Sequence, residues 1–203
     1  ILELAEKFNF YIIEDDNLYD FNYTKSSIVP YKALDYQSRV IYIKSFSKIL
    51  MPGLRMGFAV LPNKITQSIM NAKYTTDIST SGVLQKALDI YFSKNTYKSH
   101  INSVVSYAAT QYRHAVKYCD RFLKNKCSYN KPNGGISLWI DTGADYSALS
   151  EALYSKNTAV SPGSRFMING SNTSYIRLCF TAVTLPKMET GIRRIAECID
   201  SLT

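Results

Sequence analysis

The stretch Ile41 to Phe58, IYIKSFSKILMPGLRMGF, sets two hydroxyls, an amine and a guanidinium within eleven positions: Ser45, Ser47, Lys48 and Arg55. A phosphate monoester is held by that chemistry, hydroxyl donors plus a guanidinium that grips two oxygens at once. Gly53 and Gly57 flank Arg55 and permit close backbone approach or unusual φ values. Lys48 follows a β-branched, aromatic run, so its amine stands at a strand end beside the cradle. Such a lysine can snorkel out of a turn into water. It can also form a Schiff base with a carbonyl compound. An amine next to a phosphate cradle points to an aldehyde cofactor with a phosphate tail.

The acidic run Glu14, Asp15, Asp16 closes a second apolar run, FYIIEDD. A carboxylate there can bind a metal, cap a helix or be solvated. A pyridoxal ring needs one buried carboxylate that keeps its pyridine nitrogen protonated, so that the ring draws electrons. Strand alternation cannot aim both aspartates at one point, and by itself leaves open which one serves. Arg177 lies between Ile176 and Leu178 on the apolar run YIRLCF, a poor place for a surface ion pair. Gly134 and Gly135 follow Pro132, where a turn or a close approach to a ligand explains them about equally. Trp139 reads as core.

Composition sets the frame. The chain has 203 residues, 46% of them hydrophobic and 20% charged, which suits one large domain or two small ones. No run approaches the ~20 apolar residues of a membrane span. The net charge of +8 is spread along the chain with no basic tract, so a solvated basic surface is the expectation for this segment. Cys119, Cys127, Cys179 and Cys198 form no CxxC pair, and neither His100 nor His114 is ligand-spaced from them. No metal site is expected, and the thiols read as reduced and mostly buried in a cytoplasmic protein.

The elements that must position these residues follow from periodicity. FYIIEDD, RVIYIKSF and MGFAVLP read as buried strands of a parallel or mixed sheet, with polar residues at the C-terminal ends of the first two, where open α/β sheets bind ligands. KITQSIMNAKYT and GVLQKALDIYFSK read as helices, the second with STS hydroxyls before Gly82 to cap it. KSHINSVVSYAATQYRHAVKYCDRFLKN reads as one helix of ~28 residues, about 40 Å long, with Ile101, Val104, Val105, Ala108, Tyr112, Ala115, Cys119 and Leu123 near one face. ISLWID, TAVSP and YIRLCFTAV read as strands, and DYSALSEALYSK and LPKMETGIRRIAECIDSL as helices, with Pro186 tolerated in a first turn. The opening ILELAEKFNF reads as the end of an amphipathic helix, so the chain is expected to be an excerpt from a longer protein.

IIEDD, YIKSFSKILMPGLRMGF, NGGISLWI, SPGSRF and YIRLCF together, in this order over the whole chain, resemble the fold type I pyridoxal-phosphate aminotransferases of class I/II. TTDISTSGVLQKALDIYFSKNTYKSHI is similar to the middle segment of the aminotransferase-like C-terminal domain of MocR-type GntR transcriptional regulators. The SFSKxxxPGLRxG pattern carries most of the specificity; EDD and NGG carry little alone. The resemblance implies an α/β fold: residues 1–95 as the C-terminal half of the large cofactor-binding domain, a partial mixed sheet with helices, 96–126 as a long interdomain helix, and 127–203 as a small C-terminal α+β domain.

The resemblance also implies roles. Lys48 would form the internal aldimine with pyridoxal 5'-phosphate and shuttle the Cα proton. Asp15 would pair the pyridine nitrogen. Ser45, Ser47 and Arg55 would hold the cofactor phosphate, Arg177 the substrate α-carboxylate, and Gly135 would let backbone approach the substrate. The family usually has a tyrosine soon after the acidic run, on the ring hydroxyl. Here the sequence is EDDNLYDF, so Asn17 or Tyr19 takes that contact. Lys44 stands where relatives often have a small residue, and is expected to add positive potential near the phosphate. The implied partners are an amino acid or related amine, a second copy in a homodimer, and DNA only through an upstream domain. The glycine-rich phosphate loop, the ring-stacking aromatic residue and an Asn on the ring hydroxyl belong upstream of Ile1, so this piece alone is not expected to be a competent enzyme. A regulator's effector domain is the first reading. A genuine aminotransferase, moving an amino group between an amino acid and a 2-oxo acid, is the alternative.

Overall fold

The computed structural model describes residues 1–24, 28–94 and 96–202. They group into two compact units, Ile1–Asp20 with Thr24–Val104, and Phe21–Tyr23 with Val105–Thr203.

The first unit opens with a short helix, α1 (Leu2–Lys7), and a strand, β1 (Ile12–Asp15). β2 (Val40–Ser45) lies parallel to β1, and β3 (Gly57–Val60) runs antiparallel to β2, giving a mixed sheet of order β1-β2-β3. The three apolar runs thus form the expected strands. The expectation that all three are buried fails for β3, which is exposed at every residue. It is an edge strand of the sheet. Two helices follow, α2 (Asn63–Asp77), with no buried residue, and α3 (Gly82–Ser93), which buries only Leu88. Ser81 stands at the N-cap of α3, but its hydroxyl makes no capping bond, and the Thr80 hydroxyl is taken by the Lys73 ammonium instead.

The long helix α4 (Thr96–Phe122) has 27 residues. As far as Val104 it belongs to the first unit, and beyond that to the second. Its buried stripe, Ala108, Gln111, Ala115 and Cys119, follows the expected face with one polar addition. Gln111 donates Nε2–H to the Val183 carbonyl at 2.9 Å, while its Oε1 is buried without a hydrogen-bond partner among the described residues.

The second unit is a four-stranded antiparallel sheet with two further helices. β4 (Ser128–Tyr129), β5 (Ser137–Asp141), β6 (Ser161–Pro162) and β7 (Tyr175–Cys179) lie in the order β4-β5-β7-β6. On β5, buried Leu138 and Ile140 alternate with half-buried Ser137, Trp139 and Asp141, so one face enters the core and the other does not. The core joins these leucines and isoleucines to Ala115 and Cys119 of α4, to Leu149 and Leu153 of α5 (Tyr146–Ser155), and to Ile192, Ile195 and Ile199 of α6 (Leu185–Asp200). Each such aliphatic side chain contributes ~1.5–3 kcal/mol when withdrawn from water. Asp145 starts α5 by accepting the Ser147 and Ala148 amide hydrogens at 2.9 and 3.2 Å. Of the run TAVSP only Ser161 and Pro162 pair as strand. All four cysteines are free thiols. No helix among the described residues is long and apolar enough to cross a membrane.

Candidate functional site

The motif that follows β2 interleaves core and chemistry. Phe46 and Met56 are buried against Leu88, with Leu50 and Leu54 beside them. Ile49 is buried as well. The residues between them are pushed outward: Ser45 and Ser47 are half-buried, and Lys48 and Arg55 are exposed. Backbone bonds close the loop, from Phe46 N–H to the Met56 carbonyl at 3.0 Å and from Leu50 N–H to the Phe46 carbonyl at 2.8 Å. Within the same unit, His100 on α4 donates Nε2–H to the Ile49 carbonyl at 2.9 Å and ties the loop down. Nothing in the spacing of His100 announces that role.

Arg55 takes the left-handed conformation, φ 50° and ψ 38°. The unusual φ thus falls on the arginine and not on the flanking glycines. Gly57 serves close approach: a Cβ there would lie 2.6 Å from the Lys44 carbonyl oxygen across the β2–β3 pair. Neither Lys48 nor Arg55 has a hydrogen-bond or ion-pair partner among the described residues. Ser45 Oγ accepts the Ser47 amide hydrogen at 3.2 Å, which turns the two hydroxyl-bearing residues toward each other. A cavity of about 550 Å³ is lined by Ser45, Ser47, Arg55, Phe58 and Lys73, among others.

The two aspartates of the acidic run part company. By register, Asp15 shares a sheet face with Ile43 and Ser45. It is exposed, and its carboxylate accepts the Asn17 amide hydrogen at 3.3 Å. Asp16 is half-buried on the Tyr42 side and accepts the Tyr42 hydroxyl at 2.5 Å. Burial, and then that bond to Asp16, pushes the Tyr42 phenol well above its ordinary pKa. Glu14 is spent structurally, accepting the Tyr31 and Lys32 amide hydrogens at 2.8 Å each. Asn17 Oδ1 is buried with no hydrogen-bond partner among the described residues, and the exposed Tyr19 donates its hydroxyl to the Ile28 carbonyl at 3.2 Å.

Lys44 departs from expectation. It alternates with Ser45, and its ammonium is paired with Asp20 at 2.5 Å. Its charge is therefore neutralised on the face opposite Ser45, and adds no free positive potential at the hydroxyls.

In the second unit, Arg177 stands opposite Trp139 on β5 and Ser161 on β6. Its guanidinium lies 5.2 Å from the Phe166 ring centroid, and its Nε is buried without a hydrogen-bond partner among the described residues. No acid among the described residues pairs with it, so the surface ion-pair explanation has no support there. Trp139 is not in the core as expected. It stacks on Tyr175 at 5.4 Å and meets Phe166 edge-on at 5.5 Å, on the Arg177 face. Gly135 has φ 90°, where only glycine is unstrained, and its carbonyl accepts the Tyr23 hydroxyl. Burial raises that phenol's pKa to about 12. Gly134 is demanded by the chain itself, because a Cβ there would collide with the Phe21 carbonyl oxygen.

These donors fit a molecule carrying an aldehyde, a ring hydroxyl and a phosphate. Lys48 offers an uncommitted amine, Arg55 an uncommitted guanidinium, Ser45 and Ser47 hydroxyls, and Asn17 Oδ1 an orphaned acceptor. Pyridoxal 5'-phosphate has all three groups.

Known proteins agree in family. Residues 1–195 match the family model for aminotransferase class I and II. Aromatic-amino-acid aminotransferase 1 of Thermococcus litoralis is 30% identical over 98% of this chain and 48% of its own length. The uncharacterised HTH-type transcriptional regulator YisV of Bacillus subtilis is 29% identical over 97% of this chain and 41% of its own. The kynurenine aminotransferase of Pyrococcus horikoshii, crystallised in complex with PMP, superposes with a TM-score of 0.94 at 31% identity, over 98% of this chain and 50% of that one. The chain spans about half the length of the curated relatives it matches. The sequence motif, the mixed-sheet fold and these matches together show that the chain belongs to the aminotransferase class I and II family.

Proposed function

We propose that this chain is the C-terminal part of a pyridoxal-phosphate-binding, aminotransferase-like effector domain of a MocR-type transcriptional regulator. The observation that carries the cofactor reading is the cavity lined by Ser45, Ser47 and Arg55, with the exposed, uncommitted Lys48 next in sequence to Ser47. The regulator half rests on the likeness to an HTH-type regulator over nearly the whole chain. The second reading, part of a true aminotransferase, is favoured by the 30% identity to an aromatic-amino-acid aminotransferase. An upstream winged-helix DNA-binding segment in the complete protein separates the two.

When bound, the cofactor supplies an aldehyde and an electron-withdrawing pyridine ring. The chain's residues do the rest. Ser45, Ser47 and Arg55 hold the phosphate by charge-assisted hydrogen bonds. Lys48 would hold the cofactor through its amine and would move a proton at the ligand's Cα. Asp15 would keep a proton on the pyridine nitrogen, and Asn17 and Tyr19 would orient the ring hydroxyl. Arg177 grips the α-carboxylate of an amino acid or related amine as a bidentate pair, with Gly135 leaving backbone room beside it. A homodimer and an upstream DNA-binding domain complete the assembly in this reading.

The test is a pyridoxal-phosphate titration of the complete protein, followed by visible absorption. Lys48→Ala should abolish the protein-bound band. Asp15→Asn should blue-shift or weaken it, and Asp16→Asn should leave it closer to wild type. A wild-type-like band in Lys48→Ala would sink the cofactor reading. The reverse order of the two aspartate variants would move the pyridine contact to the half-buried Asp16.

A further inference from the structure

The turn after β1 is gripped at both ends by one strand. Tyr42 and Lys44 are two residues apart on β2, so their side chains leave the same face. Tyr42 donates to Asp16, at the start of the turn, and Lys44 to Asp20, at its end, each at 2.5 Å. Asn17, Leu18 and Tyr19 are suspended between the two grips. The Lys44 ammonium also lies 5.3 Å from the centroid of the Tyr19 ring.

A lysine is a costly way to fill that position. The Lys44 side chain is 8% exposed and the Asp20 side chain 18%. Two charges that have left water offset their desolvation only with close geometry, and apolar side chains of equal volume would stabilise the sheet at least as well. What an apolar residue cannot do is bind a carboxylate and a ring face at once. Both ligands of Lys44 belong to the same turn, and one of them is Tyr19. Tyr97 is near enough to feel Asp20: burial first, then the Asp20 charge, raise the pKa of its phenol.

We propose that Lys44 is a positioning residue. Through Asp20 and the Tyr19 ring it fixes the Asp16–Asp20 turn, and so holds Asn17, whose buried Oδ1 has no partner among the described residues, where it meets the cofactor. The inference rests on the cofactor reading above, and deepens it by assigning the uncommon buried lysine a task at the same site. Lys44 itself touches no cofactor atom in this scheme.

Two measurements on the complete protein test it. The first, without cofactor, is amide hydrogen exchange of residues 16–20 in Lys44→Met, which keeps length and removes charge. Exchange there should rise about tenfold over wild type, the equivalent of losing one modest ion-pair grip. The second is pyridoxal-phosphate titration, where affinity should fall about tenfold with a shifted band, while Lys44→Arg restores most of both. If Lys44→Met does not fold, Asp20→Asn removes the same grip from the other side and must give the same two results. Wild-type exchange and affinity in these variants would overturn the proposal while leaving the cofactor reading intact. Faster exchange with unchanged titration would also overturn it, because the turn would then be held for no purpose at the cofactor. Absence of any Lys48-dependent band in the wild type would instead sink the cofactor reading, and this proposal with it.

Discussion

Arg55 carries two effects that a pair of substitutions can pull apart. It sits in the left-handed region at φ 50° and ψ 38°, and it has no hydrogen-bond or ion-pair partner among the described residues. A non-glycine residue there costs about 1–2 kcal/mol in backbone strain. Glycine removes that strain but gives back about 0.4–1 kcal/mol through the greater freedom of the unfolded chain. Arg55→Gly should therefore stabilise the cofactor-free protein by about 0.5–1 kcal/mol, a rise of roughly 1–4 °C in melting temperature for a chain of this size. Arg55→Ala keeps the strain and removes an exposed, unpartnered side chain, so it should stay within about 0.5 kcal/mol of wild type. Both variants lose the guanidinium. Both should weaken pyridoxal-phosphate binding by about 1.5 kcal/mol, or roughly tenfold, the low end for a charge-assisted bond because the side chain is exposed. Thermal unfolding without cofactor and absorption titration with it are the two assays. If Arg55→Gly melts below Arg55→Ala, the backbone is not strained and the reasoning from φ is wrong. If both variants bind the cofactor like wild type, Arg55 does not hold the phosphate.

Arg177→Ala should spare pyridoxal-phosphate affinity and weaken the response to amino acids by about 1.5–3 kcal/mol, read by titrating the cofactor-loaded protein with amino acids. An intact response would remove Arg177 from its proposed role. Asp35 gives a pH prediction. Its side chain is 1% exposed and accepts the Arg39 and Val40 amide hydrogens at 2.8 Å each and the Lys32 ammonium at 3.2 Å. Burial alone would raise its pKa, but the amide bonds and Lys32 outweigh it, and the carboxyl is held below its ordinary value. A depressed folded pKa stabilises the protein fully above the unfolded value near 4, and that contribution is lost as pH falls through the folded one. Asp35→Asn should therefore be less stable than wild type at pH 7, and the gap should narrow below about pH 4. A denaturant-unfolding gap that stays constant with pH would contradict the assignment.

The sequence made the chemistry legible where residue type and order are enough. Ser45, Ser47, Lys48 and Arg55 stand outside the loop because Phe46, Ile49 and Met56 go in, and that interleaving is visible in the letters. The longer strands of the small sheet and the closing helix follow from alternation and a three-four period, as Leu138, Ile140, Ile192, Ile195 and Ile199 show. What stayed hidden depends on register. EDD cannot say that Asp15 joins the Ser45 face while Asp16 meets Tyr42, because that parity is fixed only once β1 pairs with β2. The role of Lys44 is hidden for the same reason: one residue from Ser45 in sequence, it faces the other way and pairs with Asp20.

Exposure was the second thing periodicity could not supply. β3 has the composition of a buried strand, yet every residue of it is exposed, and α2 buries none of its fifteen. Composition reports what a segment can cover, and only the neighbours decide whether it does. The same distinction runs through the candidate site. The residues with internal partners, Glu14, Asp20, Lys44 and Asp35, are satisfied by the fold and explain its shape. Lys48, Arg55, the Arg177 Nε and Asn17 Oδ1 have none among the described residues. A buried acceptor or guanidinium nitrogen left without a partner costs free energy that packing does not return. Gln111 Oε1 and His114 Nδ1 are unpartnered too, so a missing partner supports a ligand role only where it coincides with the motif chemistry, as at Asn17 and Arg177.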